Sequence, residues 1–157
     1  MRLTAFTDYT LRTLIYVALR PDRLVTIAEI AAAYQISSNH LMKVVQHLSQ
    51  AGDITTLRGQ RGGLRLARPA ETINIGAVVR QAEPDMQLVS CFGGEACCTI
   101  QSACRLPAML DEALQAFMAV LDRYTLGDLV KDRFALAGLL GIGQSAAVSV
   151  PEHTSAM

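Results

Sequence analysis

The sequence predicts a mainly α fold carrying one small β-hairpin, and three observations lead there. Apolar residues recur at three- and four-residue intervals through most of the chain. Aromatics make up only 5% of 157 residues and Trp is absent, so Leu, Val, Ile, Ala and Met must build the core that a 51% hydrophobic content allows. Residues 54–66 depart from helical spacing; there two short β-type runs flank a glycine-rich turn.

The elements follow in order. Helix one is expected from about Thr7 and Asp8, with Leu11, Leu14, Ile15, Ala18 and Leu19 as its inward stripe and Pro21 as its stop. Thr26-Ile-Ala-Glu29 is a capping-box pattern that opens a short helix, Ile27 to Tyr34. A tight turn, Gln35-Ile-Ser37, leads into a helix capped by Ser37, whose stripe is Leu41, Val44, Val45 and Leu48 and whose end is marked by Gly52. Ile54 to Arg58 and Leu64 to Leu66 read as strands around the turn Gly59-Gln-Arg61-Gly62-Gly63. Thr72 is expected to cap a helix from Ile73 to Ala82, which Pro84 ends. After Cys104 comes the longest helix, with Leu106, Leu110, Ala113, Leu114, Phe117, Leu121 and Tyr124 on one face; this stripe has the character of a coiled-coil seam against a second subunit. Thr125-Leu-Gly-Asp128 caps a final short helix to about Phe134, and a disordered tail is expected after it.

Two short helices joined by a tight turn form a helix-turn-helix, and a basic, glycine-tipped hairpin after them makes a winged helix. The expected fold is therefore mainly α: a winged helix-turn-helix DNA-binding domain with a small β-hairpin wing, plus a long C-terminal dimerisation helix. The expected division is residues 1–82 for the winged helix, 83–104 for a cysteine-rich loop, 105–134 for the dimerisation and final helices, and 135–157 for the tail.

The formal net charge is zero, but residues 1–80 hold ten Lys/Arg against five Asp/Glu, while residues 81–157 hold four against nine. A basic half joined to an acidic half suits a polyanion-binding module coupled to something else. With the apolar stripe of the third helix turned inward, its open side offers Ser38, Asn39 and His40 as base contacts and Lys43 as a phosphate contact. In the wing, Arg58, Arg61 and Arg65 alternate with small residues that let the backbone approach the sugar-phosphate chain. An ordinary solvated helix carries the same residue types; the whole helix-turn-helix-wing run in a basic segment decides for double-stranded DNA. No catalytic triad, P-loop or dinucleotide fingerprint is present, so an enzyme is not expected. No signal-peptide pattern opens the chain, and Leu11 to Leu19 is too short to span a bilayer, so a cytoplasmic setting without membrane contact is expected.

All four cysteines, Cys91, Cys97, Cys98 and Cys104, fall within fourteen residues. Structural zinc prefers closer pairs than these gaps provide, and adjacent Cys97 and Cys98 are awkward ligands for one tetrahedral ion. Iron–sulfur clusters accept wider spacing because each iron takes its own thiolate. Gly93 and Gly94 permit a tight loop, and Cys104 stands at the start of a long helix, where the dipole favours a thiolate. Spacing favours a cluster over zinc and leaves a metal-free thiol–disulfide switch open.

The winged helix, the tip Arg58-Gly-Gln-Arg-Gly-Gly63, the cysteine loop and the long helix after it together resemble the dimeric bacterial regulators of the NsrR and IscR types, over about residues 1–133. That resemblance implies a homodimeric repressor on a near-palindromic operator. Its NsrR branch implies nitric oxide sensing through an iron–sulfur cluster, [4Fe–4S] in preference to [2Fe–2S], on Cys91, Cys98 and Cys104, with Cys97 as an extra thiol. The IscR type places a histidine ligand three residues after the last cysteine, where this chain has Pro107, and that weakens the cluster-biogenesis alternative. NsrR-type proteins can complete their ligand set with an aspartate near the start of helix one, from the partner subunit; Asp8 holds that position here. An Asp in a first helical turn is also favoured by the dipole alone. Arg12, one turn on, can pair with it.

Overall fold

The computed structural model describes residues 2–59, 61–89, 98–100 and 103–142. Its elements are α1 (Ala5–Ala18), α2 (Ile27–Tyr34), α3 (Ser38–Gln50), β1 (Ile54–Leu57), β2 (Gly63–Leu66), a 3₁₀ turn (Ala70–Thr72), α4 (Ile75–Ala82), α5 (Leu106–Leu121), α6 (Leu126–Leu129) and α7 (Arg133–Leu139). The two strands pair antiparallel, Ile54 opposite Leu66 and Leu57 opposite Gly63. Val25 bridges to Leu64 on the free side of β2, with Val25 N–H to Leu64 O at 2.9 Å and Leu64 N–H to Val25 O at 2.7 Å. The architecture is the expected winged helix-turn-helix followed by a long helix.

Local chemistry places several ends as expected. Thr26 and Glu29 form both halves of a capping box on α2, and Thr125 and Asp128 do the same on α6. Other ends differ. Helix α1 begins before Thr7, because Thr4 is its cap and Thr4 Oγ1 accepts from Thr7 N–H at 3.2 Å. Ser37 occupies the cap position of α3 without a side-chain bond. Thr72 belongs to the 3₁₀ turn; Asn74 caps α4 instead, its Oδ1 accepting from Ala77 N–H at 2.9 Å. The final helix is two, since Asp132 opens α7, which covers the first residues expected in the tail.

Helix α1 is the hub: α2, α3, β2, α4 and α6 all pack on it. Its buried face is not the purely aliphatic stripe expected. Thr7, Thr10 and Thr13 are fully buried beside Leu14 and Val17, while Leu11 and Ile15 are half-buried. Threonine tolerates this because its methyl packs and its hydroxyl can bond back along the helix, as Thr10 Oγ1 does to Phe6 O at 2.8 Å.

Helix α5 also presents a different face from the one expected. Leu114 and Met118 are buried and Phe117 and Leu121 half-buried in the chain's own core, with α5 packed on α4. The outward apolar positions are Leu106, Met109, Ala113, Ala116 and Val120, spaced three, four, three and four residues apart. This is the heptad spacing of a coiled-coil seam. A clamp also holds the far end of the helix. Arg80 forks onto Asp122, Nη1 to Oδ1 at 2.7 Å and Nη2 to Oδ2 at 2.5 Å, and Asn74 Nδ2 donates to Asp122 O at 2.7 Å. Gly76 lies so close that a Cβ there would stand 2.0 Å from Asp122 Oδ1.

Candidate nucleic-acid interface

Helix α3 is built to present one face. Leu41, Val44, Val45 and Leu48 are buried, and Ser38, Asn39, His40 and Lys43 are exposed along the opposite side, at its N-terminal end. The His40 ring does not stand free: it lies 6.0 Å from the Tyr9 ring of α1 at a 31° tilt. Two turns beyond, the His47 ring meets Phe6 edge-on at 5.3 Å. Two aromatic contacts thus tie the first turns of α1 to the open helix.

The wing is held by its backbone. Gly59 has φ +114°, a conformation that side chains strain against, and Gly62 N–H closes the turn onto Gly59 O at 2.9 Å. A Cβ on Gly62 would stand 2.3 Å from Leu57 O. Arg58, Arg61 and Arg65 are all exposed around this turn; Gln60 lies outside the described residues. The base of the wing is anchored by buried Asp53, which accepts from Arg68 Nε at 3.1 Å and Nη2 at 2.6 Å. Burying a carboxylate needs such a partner.

A groove of about 330 Å³ runs between α3 and β1, lined by Met42, Gln46, Ser49, Thr56 and Arg58 among others. Met42, absent from the contacts that the sequence predicts, is 52% exposed in this groove. A flexible thioether there suits contact with a thymine methyl. Its signal was available, since position 42 falls outside the spacing of the buried stripe.

Of the cysteines, Cys98 is exposed and Cys104 half-buried, both as free thiols, and Cys104 stands two residues before α5. Cys91 and Cys97 lie outside the described residues. Pro107 is the second residue of α5. Among the described residues, no three His, Cys, Asp or Glu side chains gather as a metal group. Asp8 is half-exposed and accepts from Arg12 Nε at 3.0 Å, while the Arg12 guanidinium lies 5.6 Å from the centre of the Tyr34 ring. The start of α1 is also tied to the head of the cysteine segment, for Thr4 N–H donates to Glu83 Oε1 at 2.8 Å. No helix among the described residues is long and apolar enough to cross a membrane.

The chain has relatives among transcriptional regulators. A family model, Rrf2, described as an iron-dependent transcriptional regulator, matches residues 3–132. The HTH-type transcriptional regulator NsrR of Bacillus subtilis is 50% identical over 142 residues, which are 89% of this chain and 97% of that protein. The protein of the same name from Halalkalibacterium halodurans is 48% identical over 142 residues, with the same shares. Among solved structures, the global cysteine regulator CymR of B. subtilis matches with a TM-score of 0.67 at 23% identity, over 83% of this chain and 97% of that one, and speaks for the fold. A winged helix with an exposed recognition face, in a chain so close to named regulators, leaves one conclusion: the protein belongs to the Rrf2 family and is a DNA-binding transcriptional regulator.

Proposed function

We propose that this regulator is a homodimeric repressor that senses nitric oxide through an iron–sulfur cluster, [4Fe–4S] in preference to [2Fe–2S]. In this reading Cys91, Cys98 and Cys104 of one subunit hold the cluster with Asp8 of the partner subunit. Each subunit reads half of a near-palindromic operator with Ser38, Asn39, His40 and Lys43, and Arg58, Arg61 and Arg65 grip the backbone from the wing. The donor chemistry fits. Cys98 and Cys104 are free thiols, Cys104 two residues before α5, and Asp8 is engaged by a single half-exposed ion pair. Such an i,i+4 pair is worth only about 0.3–0.5 kcal/mol, so Asp8 can leave Arg12 for a metal at little cost.

The observation that carries the coupling is the position of Asp8 between Phe6 and Tyr9, whose rings rest on His47 and His40 of α3. A bound cluster supplies iron that reacts with nitric oxide. As the hardest donor of the set, Asp8 would be the ligand most readily exchanged. Asp8 sits in the first turns of α1, whose rings at Phe6 and Tyr9 meet His47 and His40, so loss of its hold there would loosen α1 against the recognition helix.

The test is protein purified without oxygen. It should carry iron and sulfide in stoichiometric amounts, change its visible spectrum with nitric oxide, and lose DNA affinity as it does. Cys91→Ser, Cys98→Ser and Cys104→Ser should each abolish the cluster, and Cys97→Ser should keep it. Asp8→Ala should leave the dimer intact while changing cluster stability. A colourless zinc protein, or a metal-free one whose DNA binding follows thiol oxidation, would refute the reading.

A further inference from the structure

A second concentration of positive charge lies away from the recognition helix. A cleft of about 300 Å³ opens between the C-terminal end of α1, strand β2, the 3₁₀ turn and the start of α7. Arg20, Arg65, Arg68 and Arg133 line it, with Glu71 as the one acidic residue of the lining. Two of these arginines are pinned in place. Arg68 spends three N–H groups on Asp53 and on Thr72 O, the latter at 2.6 Å, and Arg133 Nη2 donates to Ala18 O at 2.9 Å. A guanidinium has five N–H donors, so both keep some in hand while their positions are fixed. Arg20 and Arg65 make no ion pair among the described residues.

The charge balance selects the ligand. Four guanidinium groups face two carboxylates, Glu71 in the lining and Asp53 beneath Arg68, which leaves an excess suited to a dianion. Planar guanidinium forks match phosphate oxygens. On the other side of Arg20 a wider cleft, about 650 Å³, places Glu29 against Arg23 and carries less unbalanced charge.

We propose that the Arg20–Arg65–Arg68–Arg133 cleft binds a phosphoryl oxyanion, either a backbone phosphate of DNA or a free phosphate. Because Arg65 belongs to the wing and Arg133 to α7, the bound anion ties the wing to the C-terminal helices. This site is independent of the cysteines and does not rest on the cluster reading.

Two measurements on the full chain separate the sources. Inorganic phosphate is titrated at constant ionic strength without DNA, followed by calorimetry and by thermal unfolding. A free-phosphate site gives saturable binding that Arg20→Gln weakens about 10-fold or more and Glu71→Gln strengthens. Binding to a random-sequence 20-base-pair duplex is then followed against salt. A backbone-phosphate site gives a salt slope that falls by about one in Arg20→Gln. Should Arg20→Gln unfold, Glu71→Gln decides alone, since removing the one lining carboxylate must tighten phosphate or DNA. No saturable phosphate binding together with an unchanged salt slope, or unchanged affinities in Glu71→Gln, overturns the proposal.

Discussion

Residues 2–82 bury nineteen of the core hydrophobics, from Leu14 to Ala82, whereas residues 98–142 bury four: Leu114, Met118, Leu126 and Val130. The exposed large hydrophobics run the other way. Only Met42 and Leu57 belong to the first region, while Ile100, Leu106, Met109, Val120, Tyr124, Leu129, Phe134 and Leu139 belong to the second. The first region closes its core around α1 and spends its exposed residues on charge. The second leans on that core through one face of α5 and leaves its other face apolar. Apolar surface of that extent is costly to leave in water and marks an interaction site. The reading head thus closes its core within one chain, and the outward face of α5 is the surface that the proposed dimer would cover.

That contrast can be broken most strongly at the outward seam. Met109→Asp combined with Val120→Asp should leave the winged helix folded but give a monomer in sedimentation experiments. DNA affinity should then fall by about 10²–10⁴-fold, because two half-sites are no longer bound together. A persistent dimer would show that the seam is not the interface. Next in size is the closed core: Leu41→Ala, at a fully buried position, should cost about 2–5 kcal/mol in urea unfolding. A smaller value would mean that the reading head is less tightly packed than its burial implies.

The joint between the two regions comes third. Gly76→Ala places a methyl group against Asp122 and should push α5 off the Arg80–Asn74 clamp, costing about 1–3 kcal/mol. Unchanged stability would mean that α5 is held by its apolar face alone. The smallest effect is an acid one. The Arg23 guanidinium, then the Thr26 N–H and hydroxyl, hold Glu29 down to about 2. A folded-state value below the unfolded one contributes stability that is fully present above about pH 4.5 and is lost as pH falls toward 2. For so accessible a pair this should amount to less than about 1 kcal/mol, and Glu29→Gln should remove it from the acid limb of a stability–pH curve.

Much of the first region was legible because its signals are local. Thr26 with Glu29, Gly59 with Gly62, and the stripe of α3 each act within a few residues, so pattern and structure coincide. The inward face of α5 was not legible. That helix is apolar on two sides, and the side that turns inward packs on α4, far from it in sequence, with its end held by Arg80 and Asn74, 42 and 48 residues from Asp122. The threonine face of α1 escaped for another reason: a hydroxyl reads as polar until its own backbone accepts it, as Phe6 O does for Thr10. At the candidate interface, exposure of Ser38, Asn39 and Lys43 followed from helical period, but the stacking of His40 on Tyr9 joins two helices that sequence keeps apart.

The ring contacts between α1 and α3 set a length scale for regulation. Asp8, Phe6 and Tyr9 lie within one turn of helix, and the recognition helix is the next layer. In the proposed mechanism, news of the signal crosses about one helix diameter, roughly 10 Å, by way of Phe6 and Tyr9 at the edge of the core. The wiring is short, but it runs through the helix on which most other elements pack, so a change there reaches the whole reading head.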